Sequence, residues 1–248
     1  MNLTEYRASA AEQERVKDLL RLLPGHGDSI LDIGSRDGYI SKLLVDRFDR
    51  VVALDLVEPA IDDPRIDCVA GDLTALQVAD KAVECVLCAE VLEHIPPDKL
   101  ERACAELSRV ARSAIVIGVP FRQDIRLGRT TCGACGAANP PWGHVNSFDQ
   151  DRLTRLFPTW RAREWSYIGE TRERTNSIST ALMQFAGNPY GTYSQEEHCI
   201  HCGSSIGESG VRNFVQKVAT RIASQLTHVQ QQYSAARPKW VHVVFARM

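Results

Sequence analysis

Apolar positions along the chain fall into short dense runs that alternate with segments of helical spacing. Leu3 to Leu23 sets Val16, Leu19, Leu20 and Leu23 on one face and stops at Pro24-Gly25, which predicts an amphipathic helix. Ser29 to Gly34 is an apolar run entering a glycine turn, and Tyr39 to Phe48 has helical spacing. Further strands are predicted at Arg50 to Val57, Ile66 to Ala70, Ala82 to Ala89 and Ala114 to Val119, with a strongly periodic helix over Asp98 to Arg112. Strands this uniformly apolar, interleaved with helices, predict an α/β fold whose parallel sheet is covered on both faces.

The rhythm breaks after Pro120. Residues 121–146 lack periodicity and carry glycines, two cysteines and Pro140-Pro141. Phe148 to Phe157 resumes as a helix and Trp160 to Gly169 as a strand; 170–210 is again irregular, with two more cysteines. Val211 to Tyr233 follows helical spacing, and Trp240 to Ala246 closes as a strand. The expected division is a core of 1–119, 148–169 and 235–248, interrupted by insertions at 120–147 and 170–234.

The 248 residues suffice for a hydrophobic core without disulfides. A net charge of -2 argues against nucleic acid or an anionic membrane as the main partner. No apolar stretch is long enough to cross a bilayer, and Met1 to Leu20 lacks the apolar core of a signal peptide. The expected compartment is the cytoplasm, where thiols stay reduced, so the eight cysteines need a reason other than disulfides.

Candidate chemistry is densest in Ile30-Leu-Asp-Ile-Gly-Ser-Arg-Asp-Gly38, followed by Val51-Val-Ala-Leu-Asp-Leu56. A strand ending in Asp32-x-Gly34 and turning through Gly38 lets a ligand approach the backbone. Asp55, at the end of the next strand, suits a ribose diol. The loop is Gly-x-x-x-Gly and lacks the pyrophosphate cradle of Gly-x-Gly-x-x-Gly. Asp32 beside it repels phosphate but suits the ammonium and sulfonium of S-adenosylmethionine (SAM).

This segment resembles motif I of class I SAM-dependent methyltransferases. Gly71-Asp72-Leu73 is similar to the family's adenine site, and Val86-Leu-Cys-Ala-Glu-Val-Leu-Glu-His-Ile95 to the motif ending the fourth strand in the ubiquinone-methyltransferase-like branch. The resemblance implies a Rossmann-like, seven-stranded, mostly parallel sheet closed by an antiparallel hairpin. It also implies a SAM site formed by Asp32, Gly34, Gly38, Asp55, Leu56, Asp72, Leu73 and Glu90. One departure stands in motif I: the family's central glycine is replaced by Arg36, costly by about 1 kcal/mol if φ is positive there.

Methyl transfer to a hydroxyl needs a group to take the proton. Candidates are Glu93 and His94, which share a turn with Glu90, and His144 in Trp142-Gly-His-Val-Asn-Ser-Phe148. Glu90, Glu93, His94 and His144 together resemble the divalent-metal site of small-RNA 3′-terminal 2′-O-methyltransferases, which implies Mg²⁺. The alternative is a metal-free pocket in which Glu93 caps a helix and His94 acts as base or donor.

Cys132-Gly-Ala-Cys135-Gly136 and Cys199-Ile-His-Cys202-Gly203 form two Cys-x-x-Cys-Gly knuckles, together a Cys₄ set suited to structural zinc. Cys85 and Cys88 share the spacing but lie in a strand, where residues three apart face opposite sides. With Cys68 and Cys104 they are expected to be small buried apolar groups. Both insertions leave the sheet at its carboxyl edge and are expected to roof the acceptor site, with Arg122, Arg126, Arg129, Trp142 and Tyr193 as candidate contacts. The function expected is O-methylation of a small-molecule or sugar-containing acceptor; an RNA 2′-hydroxyl and a non-catalytic binding module are the alternatives.

Overall fold

The structure is a computed structural model that describes residues 3–192, 198–206 and 212–247. The chain divides into two compact units: residues 1–121, 148–169 and 238–248 form the first, and 122–147 with 170–237 form the second.

In the first unit, α1 (Leu3–Ala8) and α2 (Ala10–Leu22) precede β1 (Gly27–Ile33), α3 (Tyr39–Leu44), β2 (Phe48–Asp55) and β3 (Ile66–Ala70). After a 3₁₀ turn at Leu73–Ala75 come β4 (Val83–Ala89), α4 (Leu100–Val110) and β5 (Ala111–Pro120). Two short strands, β6 (Thr130–Thr131) and β7 (Ala138–Asn139), belong to the second unit and are followed by α5 (Gln150–Leu156) and β8 (Trp160–Thr171). The second unit also holds α6 (Ser177–Phe185) and α7 (Phe214–Tyr233), before β9 (Arg237–Arg247) closes the main sheet.

That sheet has seven strands in the order β3-β2-β1-β4-β5-β9-β8. β1 to β5 pair in parallel, and β9 runs antiparallel to β5. Each face has its own core. Leu19 and Leu22 of α2 pack with Ile30, Val51 and Leu87 on one side, while Cys104 and Leu107 of α4 pack with Leu31, Val86 and Ile115 on the other. The order reverses between β1 and β4, so the carboxyl ends of these strands flank a switch point, where open α/β sheets place ligands.

Several boundaries differ from expectation. The N-terminal helix is interrupted at Ser9, whose hydroxyl caps α2 by accepting from the Glu12 N–H at 3.3 Å. The helix from Tyr39 stops at Leu44, because Phe48 is drawn into β2 and buried against the sheet. The helix expected to reach Arg112 ends at Val110, and β5 starts at once. α6 lies in a stretch expected to be irregular; Asn176 caps it, accepting from the Ser179 N–H at 2.8 Å. The late helix begins at Phe214 with an Asn213–Gln216 capping box, while Val211 and Tyr193 lie outside the described residues. Cys85 and Cys88 do enter opposite cores, but Cys68 is only half-buried because its strand, β3, forms the edge of the sheet.

Candidate functional site

β1 delivers the chain into a loop that only left-handed backbone can turn. Gly34 and Gly38 both have φ of 75°. A Cβ on Gly34 would stand 2.4 Å from Val91 Cγ2, and one on Gly38 2.3 Å from Ile61 Cδ1, so neither position has room for a side chain. Arg36 also adopts positive φ, 50°, so the residue standing where the resembling family has glycine is held in glycine's conformation. Its N–H donates to Asp55 Oδ2 at 2.8 Å, while the Leu56 N–H donates to Oδ1 at 2.7 Å. Leu56 itself is 74 % exposed, an apolar side chain beside a strand-tip carboxylate.

The carboxylates expected at the sheet's edge are there. Asp32, near the end of β1, is buried and accepts from Ser41 Oγ at 2.6 Å. Burial pushes its carboxyl up to about 7, partly opposed by the Ser41 bond. Asp72 follows β3; its Oδ1 accepts from the Thr74 N–H and hydroxyl at 2.7 and 2.8 Å, and these bonds hold the carboxyl below its ordinary value. Leu73, next in the chain, is buried. Glu90 follows β4 with φ of 57°; its N–H donates to Gly118 O at 2.9 Å, and its Oε2 accepts from Trp240 Nε1 at 3.2 Å. Glu90 Oε1 is shut off from solvent without a hydrogen bond, and desolvation raises this carboxyl.

Glu93 and His94 bring a carboxylate oxygen and a ring nitrogen within 4.8 Å of each other, though they differ in burial. The segment makes a turn, with the His94 N–H bonded to Val91 O at 3.0 Å, but no regular helix begins until Leu100. Glu93 is fully buried, with neither oxygen hydrogen-bonded, whereas His94 is exposed. Desolvation, reinforced by Glu90, raises the Glu93 carboxyl well above the carboxylate range. Glu93 does not cap α4, and Lys99 in the cap position makes no side-chain bond there.

A buried polar group on α2 was not legible as part of this region. Arg15 pairs with Glu12 through bonds of 2.7 and 2.6 Å, both side chains being nearly solvent-free. Arg15 partly offsets the upward push on Glu90, and its Nη1 has no hydrogen-bond partner. The spacing signal was present, since Glu12 and Arg15 lie one turn apart beside Val16 and Leu19. Arg7 of α1 is paired with Asp37 of the glycine loop and lies over the Tyr39 ring, 4.6 Å from its centroid.

The second unit has its own features. The sulfurs of Cys132, Cys135, Cys199 and Cys202 all lie within 4.8 Å of one another, with Cys132–Cys202 at 3.8 Å and Cys135–Cys199 at 3.7 Å. The two knuckles repeat one backbone design. Cys132 N–H bonds Ala137 O and Gly136 N–H bonds Cys132 O; Cys199 N–H bonds Ser204 O and Gly203 N–H bonds Cys199 O. Gly136 and Gly203 take φ of 73° and 71°. His144 is buried, with Nδ1 2.6 Å from Gln123 Oε1. A cleft of about 370 Å³ is lined by Gln123, Arg126, Arg129, Trp142, Thr175, Asn188, Tyr190 and Thr227, among others. Trp142, with φ of 52°, and Asn188, with φ of 49°, are strained lining residues of the kind found at ligand sites.

Comparison with known proteins agrees with this architecture. Residues 31–116 match the family described as methyltransferase domain. A probable S-adenosylmethionine-dependent methyltransferase of Mycolicibacterium smegmatis is 29% identical over 140 residues, 54% of this chain and 51% of that protein. The malonyl-[acyl-carrier protein] O-methyltransferase of Serratia marcescens is 34% identical over 119 residues, 45% of this chain and 46% of that one. The chain thus spans about half the length of the curated relatives it matches. Among solved structures, the Burkholderia thailandensis 1,6-didemethyltoxoflavin-N1-methyltransferase, bound to its acceptor and S-adenosylhomocysteine, superposes with a TM-score of 0.57 at 13% identity, covering 98% of this chain and 81% of that one. Residues 31–116 are thus similar to a methyltransferase domain, and the chain shares the fold of a solved methyltransferase structure.

Proposed function

We propose that this protein is a SAM-dependent methyltransferase that methylates an oxygen of a small-molecule or sugar-containing acceptor. The observation that carries this reading is the series of acidic side chains, Asp32, Asp55, Asp72 and Glu90, at the ends of four adjacent parallel strands beside a left-handed glycine loop. Asp55 has each oxygen already oriented by one backbone N–H, leaving acceptor capacity for a ribose diol. Asp72 would accept a hydrogen bond from the exocyclic amine of adenine, with Leu56 and Leu73 as apolar neighbours of the base. Asp32, with Gly34, Gly38 and Glu90, receives the cationic end of the cofactor.

Bound SAM would supply an electrophilic methyl group on its sulfonium, and a hydroxyl acceptor would have to give up its proton to a residue of the chain. His94 and His144 are the residues assigned to take that proton. Burial raises the Glu93 carboxyl and so disfavours its ionised form, and Glu93 is assigned to positioning. Glu93 leaves two buried acceptor atoms unsatisfied, and with a His94 ring nitrogen within 4.8 Å this donor set fits Mg²⁺ as well as a retained proton.

The four cysteines fit structural zinc. A zinc–sulfur bond near 2.3 Å makes the edge of a regular tetrahedron about 3.8 Å, which matches the sulfur separations of 3.7 and 3.8 Å. Backbone N–H groups of His201 and Cys202 outweigh burial at Cys199 and lower its thiol to about 6, favouring the thiolate that a metal needs. In the same unit, the hydroxyls, amides, arginines and Trp142 of the cleft supply the contacts expected for a hydroxylated acceptor. Transfer of labelled methyl from SAM into a cell metabolite extract, with RNA as the competing acceptor, tests the reading; label entering RNA alone contradicts the proposed acceptor class.

A further inference from the structure

α7 is two-faced in an unusual way. Its inward face, with Ala219, Thr220, Ala223 and Thr227, is buried, and Asn176 Nδ2 from the cap of α6 donates to Gln230 Oε1 at 2.8 Å. The opposite face is apolar and open. Phe214 is 80 % and Tyr233 85 % exposed, and between them Val215, Val218, Ile222, Leu226 and Val229 are 39–60 % exposed. At 3.6 residues per turn these seven fall within about 120° of arc, as one stripe along a helix about 30 Å long. Phe185, 58 % exposed, broadens the stripe at the α7 N-terminus, where Gln216 Nε2 donates to Phe185 O at 3.3 Å.

We propose that this face is the dimer interface of the protein, covered by α7 of a second copy packed antiparallel about a two-fold axis near Ile222 and Leu226. The area suits that occupant. With side chains of on the order of 150–200 Å² each, the exposed fractions amount to roughly 900 Å² per chain, against about 800 Å² per partner in a standard stable interface. This exceeds the few hundred Å² of contiguous apolar surface that monomers ordinarily expose.

The bulky ends of α7 select the direction. Lys217 and Arg221, at the flank of the stripe, are the only Lys or Arg on α7, which has no acidic residue. A parallel pair would set the bulky Phe214 against Phe214 and Tyr233 against Tyr233 of the other copy. The antiparallel pair lets the apolar stripe of one copy run along the whole stripe of the other. It also brings Phe214 of one copy toward the Val229–Tyr233 end of the other, so the bulky ends interlock and the middle closes on the axis. A membrane surface is disfavoured as the occupant. Helices that lie on anionic lipid carry a strongly cationic polar face, whereas the face of α7 opposite the stripe is packed inside its own unit.

Sedimentation velocity of the full chain over a concentration series up to about 100 µM tests this. The expected result is a species of twice the 27.6 kDa chain mass. The double variant Ile222→Lys, Leu226→Lys should weaken association by about 100-fold or more while keeping the wild-type circular dichroism spectrum. Lys217→Gln should leave the dimer intact. A wild-type protein that stays monomeric throughout overturns the proposal, whatever the variants do. So does an unchanged dimer in the folded double variant. A monomer that co-sediments with phosphatidylserine vesicles overturns it in favour of a lipid surface.

Discussion

The backbone N–H of Arg36 donates to Asp55 Oδ2 at 2.8 Å, joining the loop after β1 to the tip of β2. The bond uses only the main chain of Arg36, so the arginine side chain is not what orients Asp55. Positive φ at this position costs a non-glycine residue about 1 kcal/mol. Arg36→Gly should therefore keep the bond, raise the melting temperature by about 2–4 °C, and leave SAM affinity the same or higher. A drop in affinity measured by calorimetry would show that the guanidinium takes part in binding.

Asp32 carries a pH signature. Its carboxyl ordinarily titrates near 3.8, but burial moves it to about 7 in the folded chain. Between these values the native state holds a proton that the unfolded chain has released, so stability falls as pH rises from about 4 to 7. Glu90 and Glu93 act in the same direction. Thermal melts of Asp32→Asn should show a shallower decline over that window. Because the cationic cofactor prefers the ionised carboxylate, SAM affinity should be about tenfold weaker at pH 6 than at pH 8, a difference that Asp32→Asn abolishes.

The paired knuckles should hold about one zinc per chain, detectable by elemental analysis. Cys199→Ser should lose the metal and the local fold of the knuckles, whose small core is Cys132, Cys199 and Ile206. A strong chelator should lower the melting transition of wild type and leave that of Cys199→Ser unmoved. Full stability and a native spectrum in metal-free protein would remove zinc from the account.

His94 and His144 should separate chemistry from binding. Replacing the residue that accepts the acceptor proton by alanine should lower kcat by about 10²–10⁴-fold while leaving SAM affinity within about twofold. Glu93→Gln preserves the shape of a protonated carboxyl and should be much milder than Glu93→Ala, which opens a cavity beside Leu92 and Glu90. Equal losses in the two Glu93 variants would mean that its ionised form matters, contrary to its burial.

The main sheet was readable because its strands are apolar runs that cannot be solvated, and Gly34, Gly38 and the strand-tip acids punctuate them. Interruptions within helices were harder to read. Ser9 breaks the first helix through a cap that costs little and leaves the apolar face continuous, and α6 is too short to show much periodicity. Side chains that meet across long separations were not readable at all. Glu90 and Trp240 are 150 residues apart, and their bond exists only because β9 returns beside β5. For the cysteines, spacing predicted the Cys₄ set, and the fold brings its four sulfurs within 4.8 Å of one another.

Isothermal calorimetry of SAM against wild type and Asp55→Ala tests the central claim most directly. The account predicts one site per chain for the wild type and a loss of about 10–100-fold when the carboxylate is removed, the range for a charge-assisted hydrogen-bonding group. Folded wild-type protein that releases no binding heat at any temperature, or an Asp55→Ala variant that binds SAM as tightly as wild type, would contradict it.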